Sequence, residues 1–225
     1  MPQLTLYRAD GASSLAPHIL LRDLSIPFNV VLMKEGQGGY EAADGSLSNA
    51  EYRKRVNANG YVPILQVDDH FISEMPAILS FLATLDPERR LGGESALEQV
   101  KVLEWLSWMA SLVHGLGFMM LLHPDRFTDD KELSPKLKER GQLIIKRSFE
   151  QIEKRLASYA HPCGESETVV DFNLLLFWYW GKQAGIATVE NHPNYGRLVR
   201  GLEERESVRL ALSLEGYDLS FAAAI

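Results

Sequence analysis

Two groups of residues in this chain could do chemistry, and a third is a folding device. The first surrounds a proline set where a strand tolerates it poorly. Residues 60–67 read Gly-Tyr-Val-Pro-Ile-Leu-Gln-Val, aromatic and β-branched around Pro63. Proline gives no amide hydrogen to a ladder, so the run is an edge strand, a bulge, or a strand entered through a special Val62-Pro63 bond. A bend there leaves the Val62 backbone free to pair with an extended ligand by strand addition. The second group is Ser107, Ser111 and His114 on a long apolar stretch. Their i, i+4, i+7 spacing puts them on one face of an α-helix, where they either face solvent or need buried partners. His114 could take and give a proton near neutral pH. The third is Thr168 and Asp171, spaced as a capping box and therefore a folding device.

Composition narrows the setting. Of 225 residues, 46% are hydrophobic, enough for one large domain or two small ones. Lysine and arginine number 23 against 30 acidic residues, a net charge of −7 that argues against nucleic acid and anionic membranes as partners. The single cysteine, Cys163, excludes an intrachain disulfide and a cysteine-based zinc site, and fits a reducing compartment. No run of eighteen apolar residues spans a membrane in this reading, and the N-terminus lacks a basic-then-apolar signal pattern. The expected location is the cytoplasm.

The positioning elements follow from local patterns. Residues 3–8 read as a strand, 14–24 as a helix that Ser14 could cap, 27–33 as a strand, 35–48 as a polar, glycine-rich mobile loop, and 50–56 as a helix. A strand at 61–67, a turn at Asp68-Asp69, a return strand at 70–72 and a helix at 75–85 complete a βαβαββα order. Residues 86–93 are a linker by composition. Beyond them strand signals vanish: 96–122, 137–159, 168–181, 192–204 and 206–214 all read as helices. The expected organisation is an α/β domain at 1–85 and an all-helical domain at 94–225.

In this order and spacing, four signals together resemble the cytosolic glutathione transferases, most of all their bacterial, beta-like group. They are Leu6-Tyr7-Arg8-Ala9-Asp10-Gly11-Ala12-Ser13-Ser14, Asn57-Ala58-Asn59-Gly60-Tyr61-Val62-Pro63, Glu74-Met75-Pro76-Ala77-Ile78, and Thr168-Val169-Val170-Asp171. The resemblance covers nearly the whole chain. It implies a thioredoxin-like first domain with a cis proline, an all-α second domain, and a homodimer.

It also implies a site for glutathione as co-substrate. Val62 and Pro63 would clamp its cysteinyl portion, and Glu74 would hold the γ-glutamyl amine. Met75, where the family often has Ser or Thr, would contribute only its amide. Lys34 would reach the glycine carboxylate, and Ser107, Ser111 and His114 would approach the ligand. The pattern departs from the bacterial group at Ser13, which stands where that group has cysteine. A hydroxyl cannot exchange disulfides, but it can hydrogen-bond a bound thiolate. Ser13, with His114, is therefore the expected catalytic residue for conjugating glutathione to a small hydrophobic electrophile. The other readings are a non-catalytic glutathione-binding module, or an isomerase or peroxidase at the same site. Simple helix capping by Ser13 or Ser14 is the structural alternative.

Overall fold

The computed structural model describes residues 2–36 and 38–220. In chain order its main elements are β1 (Leu4–Arg8), α1 (Leu15–Asp23), β2 (Asn29–Gly36), β3 (Gly39–Ala42), α2 (Asn49–Arg55), β4 (Ile64–Val67), β5 (His70–Ile72) and α3 (Met75–Ala83). There follow α4 (Ala96–Trp108), a π-helical segment (Met109–Phe118), α5 (Met119–Leu122), α6 (Ser134–Leu156), α7 (Val169–Gln183), α8 (Pro193–Glu203) and α9 (Glu206–Leu214). The chain forms two compact units. One holds residues up to Arg90 together with those from Arg200 onward; the other is Leu91–Val199. This division differs from the one read along the sequence, which kept the C-terminal residues with the helical domain.

The first unit is built on a mixed five-stranded sheet ordered β3-β2-β1-β4-β5. β1 runs parallel to β2, with Leu6 opposite Val30, and antiparallel to β4, with Leu6 opposite Leu65. A parallel pair needs a crossover, and α1 provides it, with every residue from Leu15 to Leu21 buried. Pro63 stands just before β4, so the ladder never requires its missing amide hydrogen; the Val62-Pro63 bond is cis. In the stretch 35–48, read as a mobile loop, Gln37 lies outside the described residues; β2 continues to Gly36 and pairs with β3, giving the sheet an extra edge strand. Gly38 and Gly39 adopt left-handed φ angles of 97° and 129° that make the return possible. The α2 side chains then hold it, Asn49 donating to Tyr40 O at 2.9 Å and Arg53 to Gly38 O at 3.2 Å.

The C-terminal residues join this unit through α1. Asp23, at the end of α1, accepts from Arg89, Arg205 and Ser207 at 2.8, 3.0 and 2.8 Å. Glu215, just beyond α9, accepts from His18 on α1 at 2.6 Å. Helix α9 is thus tied to α1 near both ends.

The second unit is helical around α7, whose residues from Val169 to Gly181 are all buried. Asp171 receives the Thr168 amide at 2.8 Å, and its other oxygen meets His161 Nδ1 at 2.7 Å. Ala96–Leu122 is helical throughout, but its middle widens into the π form, in which the Met119 amide reaches back five residues to His114 O. The widened segment lies so close to α6 that a Cβ at Gly141 would come within 2.6 Å of Gly117 O. Contrary to the sequence reading, Ala96–Leu122 is long and apolar enough, by length and composition, to cross a membrane. One face packs inward through Val102, Leu106, Met109 and Val113.

Candidate functional site

Two loops of the first unit meet at Ser13 and Val62. Ser13 lies in the turn between β1 and α1, only 7% exposed, and its hydroxyl donates to Val62 O at 3.4 Å. Neither candidate serine caps α1 with its side chain. The Ser14 hydroxyl turns back, accepting from Ala9 N at 3.1 Å and donating to Ala9 O at 3.0 Å. That pair closes the turn and commits the Ser14 hydroxyl, leaving Ser13 with one long hydrogen bond that a better acceptor can displace.

Val62 is held by its neighbours rather than by a ladder. Tyr61 O accepts from Tyr52 Oη at 2.7 Å and from Asn57 Nδ2 at 2.9 Å. Tyr52 is fully buried, and burial pushes its phenol well above the usual range, so it acts as a neutral donor. Among the described residues, neither the amide nor the carbonyl of Val62 takes a backbone partner. An extended ligand can therefore pair with both. Sequence reasoning missed Tyr52 and Asn57; the only sign was a tyrosine among charged residues on a short helix.

Glu74 lies between β5 and α3, exposed, with φ 67° and ψ 126°. A side chain of its size seldom adopts positive φ, and such strain is concentrated at ligand sites. Met75 opens α3 and Pro76 follows, so the Met75 and Ala77 amides face outward from the helix start, where a carboxylate is favoured. The Met75 side chain is itself buried.

The remaining expected residues fall elsewhere. Lys34 is exposed on β2, 3.5 Å from Glu41 on the opposing strand. Ser107, Ser111 and His114 do not form the expected stripe. In the π segment each residue turns through a smaller angle than in an α-helix, so the step from Ser111 to His114 falls further short of a full turn. Ser107 and Ser111 are exposed, and the Ser111 hydroxyl bonds back to Ser107 O at 2.8 Å. His114 instead packs inward, its ring centre 5.3 Å from Trp180 and 6.2 Å from Phe177. Burial, helped by Arg126 and His123, lowers its pKa to about 4, so it is neutral at physiological pH. Cys163 is pushed up to about 11, chiefly by burial, and is a poor thiolate.

Known proteins match nearly the whole of this chain. The family model described as the glutathione S-transferase C-terminal domain fits residues 109–206. Glutathione S-transferase GstA of Escherichia coli O157:H7 is 30% identical over 218 residues, covering 95% of this chain and 99% of its own. Among solved structures, a bacterial beta class enzyme from Sphingomonas chungbukensis superposes with a TM-score of 0.80 at 28% identity, over 95% of this chain and all of that one. A sphingomonad glutathione S-transferase complexed with glutathione gives 0.79 at 28% identity, over the same shares. With an unladdered Val62, a strained Glu74 and a mixed sheet followed by helices, this chain belongs to the glutathione S-transferase family.

Proposed function

We propose that this chain is a glutathione transferase whose co-substrate lies along Val62 and gives its thiolate, beside Ser13, to a small hydrophobic electrophile. The observation that carries the reading is a Val62 backbone without a backbone partner among the described residues, its carbonyl accepting only from the Ser13 hydroxyl at 3.4 Å. The Val62 amide and carbonyl pair with the cysteinyl unit of glutathione. Glu74 takes the γ-glutamyl ammonium, and the Met75 and Ala77 amides take the γ-glutamyl carboxylate.

The thiol proton leaves to solvent, and Ser13 turns from Val62 O to donate to the sulfur anion. That lone pair forms a carbon–sulfur bond with the electrophile while the leaving group, chloride from an aryl chloride, departs with its bonding electrons. A free thiol titrates near ~8.5. Lowering it by one to two units takes about 1.4–2.7 kcal/mol of preferential stabilisation, within reach of one hydroxyl and a helix N-terminus. Cys163 is remote in sequence and poorly ionised, so disulfide exchange is outside this mechanism.

The protein acts as a homodimer in the cytoplasm in this reading. Leu97, Val100 and Leu103 form an apolar row on α4, exposed by 69%, 60% and 52%. Such a row needs cover, and a second copy supplies it. A single free cysteine and dependence on reduced glutathione suit the cytoplasm.

Retention on immobilised glutathione, followed by turnover of a chlorinated aromatic electrophile, tests the reading. Wild-type protein should be retained and turn over. Ser13→Ala should still be retained while losing about tenfold or more in rate, the cost of about one unit in thiol pKa. Lack of retention by the wild type would refute the glutathione site, and an unchanged Ser13→Ala rate would refute the role of Ser13.

A further inference from the structure

Behind the turn that carries Ser13 lies a buried polar cluster that the proposed reaction does not use. Glu215 is 6% exposed, its carboxylate side chain wholly so buried as to show no solvent surface. Its Oε1 accepts from His18 Nδ1 at 2.6 Å. His18 Nε2 accepts from Arg22 Nε at 2.8 Å, which fixes the tautomer: the imidazole is neutral, with its proton on Nδ1. The Arg22 guanidinium is steadied over the Phe28 ring, 5.6 Å from its centre. On the other side, Arg8 NH1 lies 3.8 Å from Glu215 Oε1 and pairs with Asp10.

These groups enclose the turn. Arg8 ends β1, Asp10 and Gly11 lead into Ser13, and His18 follows one turn into α1. Gly11 itself has φ +72°, and a Cβ there would lie 3.8 Å from the Tyr217 hydroxyl. The turn thus rests on a segment that follows it by about two hundred residues, 197 separating His18 from Glu215. Arg8 Nε is buried and lacks a hydrogen-bond partner among the described residues. Retaining a buried carboxyl, an imidazole and a partly satisfied guanidinium in an otherwise apolar wall is costly for stability alone.

We propose that Glu215 is a positioning residue for the Ser13-bearing turn: through His18 and Arg8 it sets where the Ser13 hydroxyl stands beside Val62. The inference rests on the role given to Ser13 above. Glu215 touches no substrate in this account, and its effect reaches the thiol only by way of the turn. The C-terminal segment therefore has a part in the chemistry although no residue of it reacts.

The test uses full-length Glu215→Gln, Ser13→Ala and the double variant. Glutamine keeps an oxygen for His18 but replaces the second carboxyl oxygen, buried and without a hydrogen-bond partner among the described residues, with an amide that cannot ionise. The pH profile of kcat/KM with a chlorinated aromatic electrophile is recorded with the KM for glutathione. In Glu215→Gln, kcat should fall about fivefold and the ascending limb should move to higher pH, while KM for glutathione stays within about twofold. The double variant should be no slower than Ser13→Ala, because both changes act on one hydroxyl.

A shifted Ser13→Ala profile beside an unshifted Glu215→Gln profile overturns the role of Glu215 alone. Additive effects in the double variant do the same. Loss of the folded state in Glu215→Gln, read by circular dichroism, would also overturn it, since Glu215 would then be a folding determinant. An unshifted Ser13→Ala profile overturns the Ser13 reading and this inference with it.

Discussion

His18, fully buried, and His114, half-buried, both lie on helices, one in each unit, yet their surroundings replace water in opposite ways. Burial drives the pKa of each down, to about 3 and about 4, helped by Arg8 and Arg22 at His18 and by Arg126 and His123 at His114. His18 has a hydrogen-bond partner on both ring nitrogens, Glu215 and Arg22. The recorded ring contacts of His114 are with Trp180 and Phe177. A ring bonded at both nitrogens fixes the direction of its neighbours and transmits position. A ring stacked among aromatics mainly fills volume. The same residue type therefore organises a turn in one unit and packs a core in the other.

Removing each ring should separate the two roles most clearly. His18→Ala leaves Glu215 and Arg22 without their shared partner and should destabilise the protein by about 3 kcal/mol in urea unfolding. His114→Phe keeps the aromatic volume and should cost less than about 1.5 kcal/mol. Equal losses would erase the distinction.

Acidity offers a second contrast. Both rings are neutral when folded, with pKa values below the ordinary 6.5. Their contribution to stability is present above pH 6.5 and is lost as pH falls from there toward about 4 and about 3. Glu215 runs the other way. Burial, resisted by Arg8, raises it from 4.5 to about 8, so its stabilising contribution is present below pH 4.5 and is lost as pH rises toward about 8. Melting temperature against pH should show a shallower acid limb in His114→Phe and a shallower decline between pH 4.5 and about 8 in Glu215→Gln. Unaltered limbs would mean that these groups titrate alike in folded and unfolded chains.

The smallest expected effect lies on the clamp side. Tyr52→Phe removes one of the two side-chain donors to Tyr61 O and should cost about 1 kcal/mol, with weaker retention on immobilised glutathione. Asn57 remains, so the loss should be partial. A stability loss with undiminished retention would detach Tyr52 from the clamp.

Much of the sheet and the cis Val62-Pro63 bond could be read from local sequence because proline and the helix-start pattern constrain their own backbone. Pro63 marked an irregular strand entry, although the strand read at 61–67 begins only at Ile64, and Glu74-Met75-Pro76 marked a helix start after a return strand. The β2–β3 pairing escaped because its glycines look like loop composition, while what orders it comes from Asn49 and Arg53 on the next helix. The Ser107–Ser111–His114 stripe failed because α-helical periodicity was assumed across a segment that widens into a π-helix. Glu215 could not be found by spacing at all, since its partner is 197 residues away.

The central claim is that the Ser13 hydroxyl holds the glutathione thiolate beside Val62. Titrating the ultraviolet thiolate absorbance of bound glutathione, in wild type and in Ser13→Ala, tests it without an electrophile. The account predicts a midpoint well below the free thiol in wild type and about one unit higher in Ser13→Ala, at nearly equal glutathione affinity. Identical midpoints in the two proteins would contradict it.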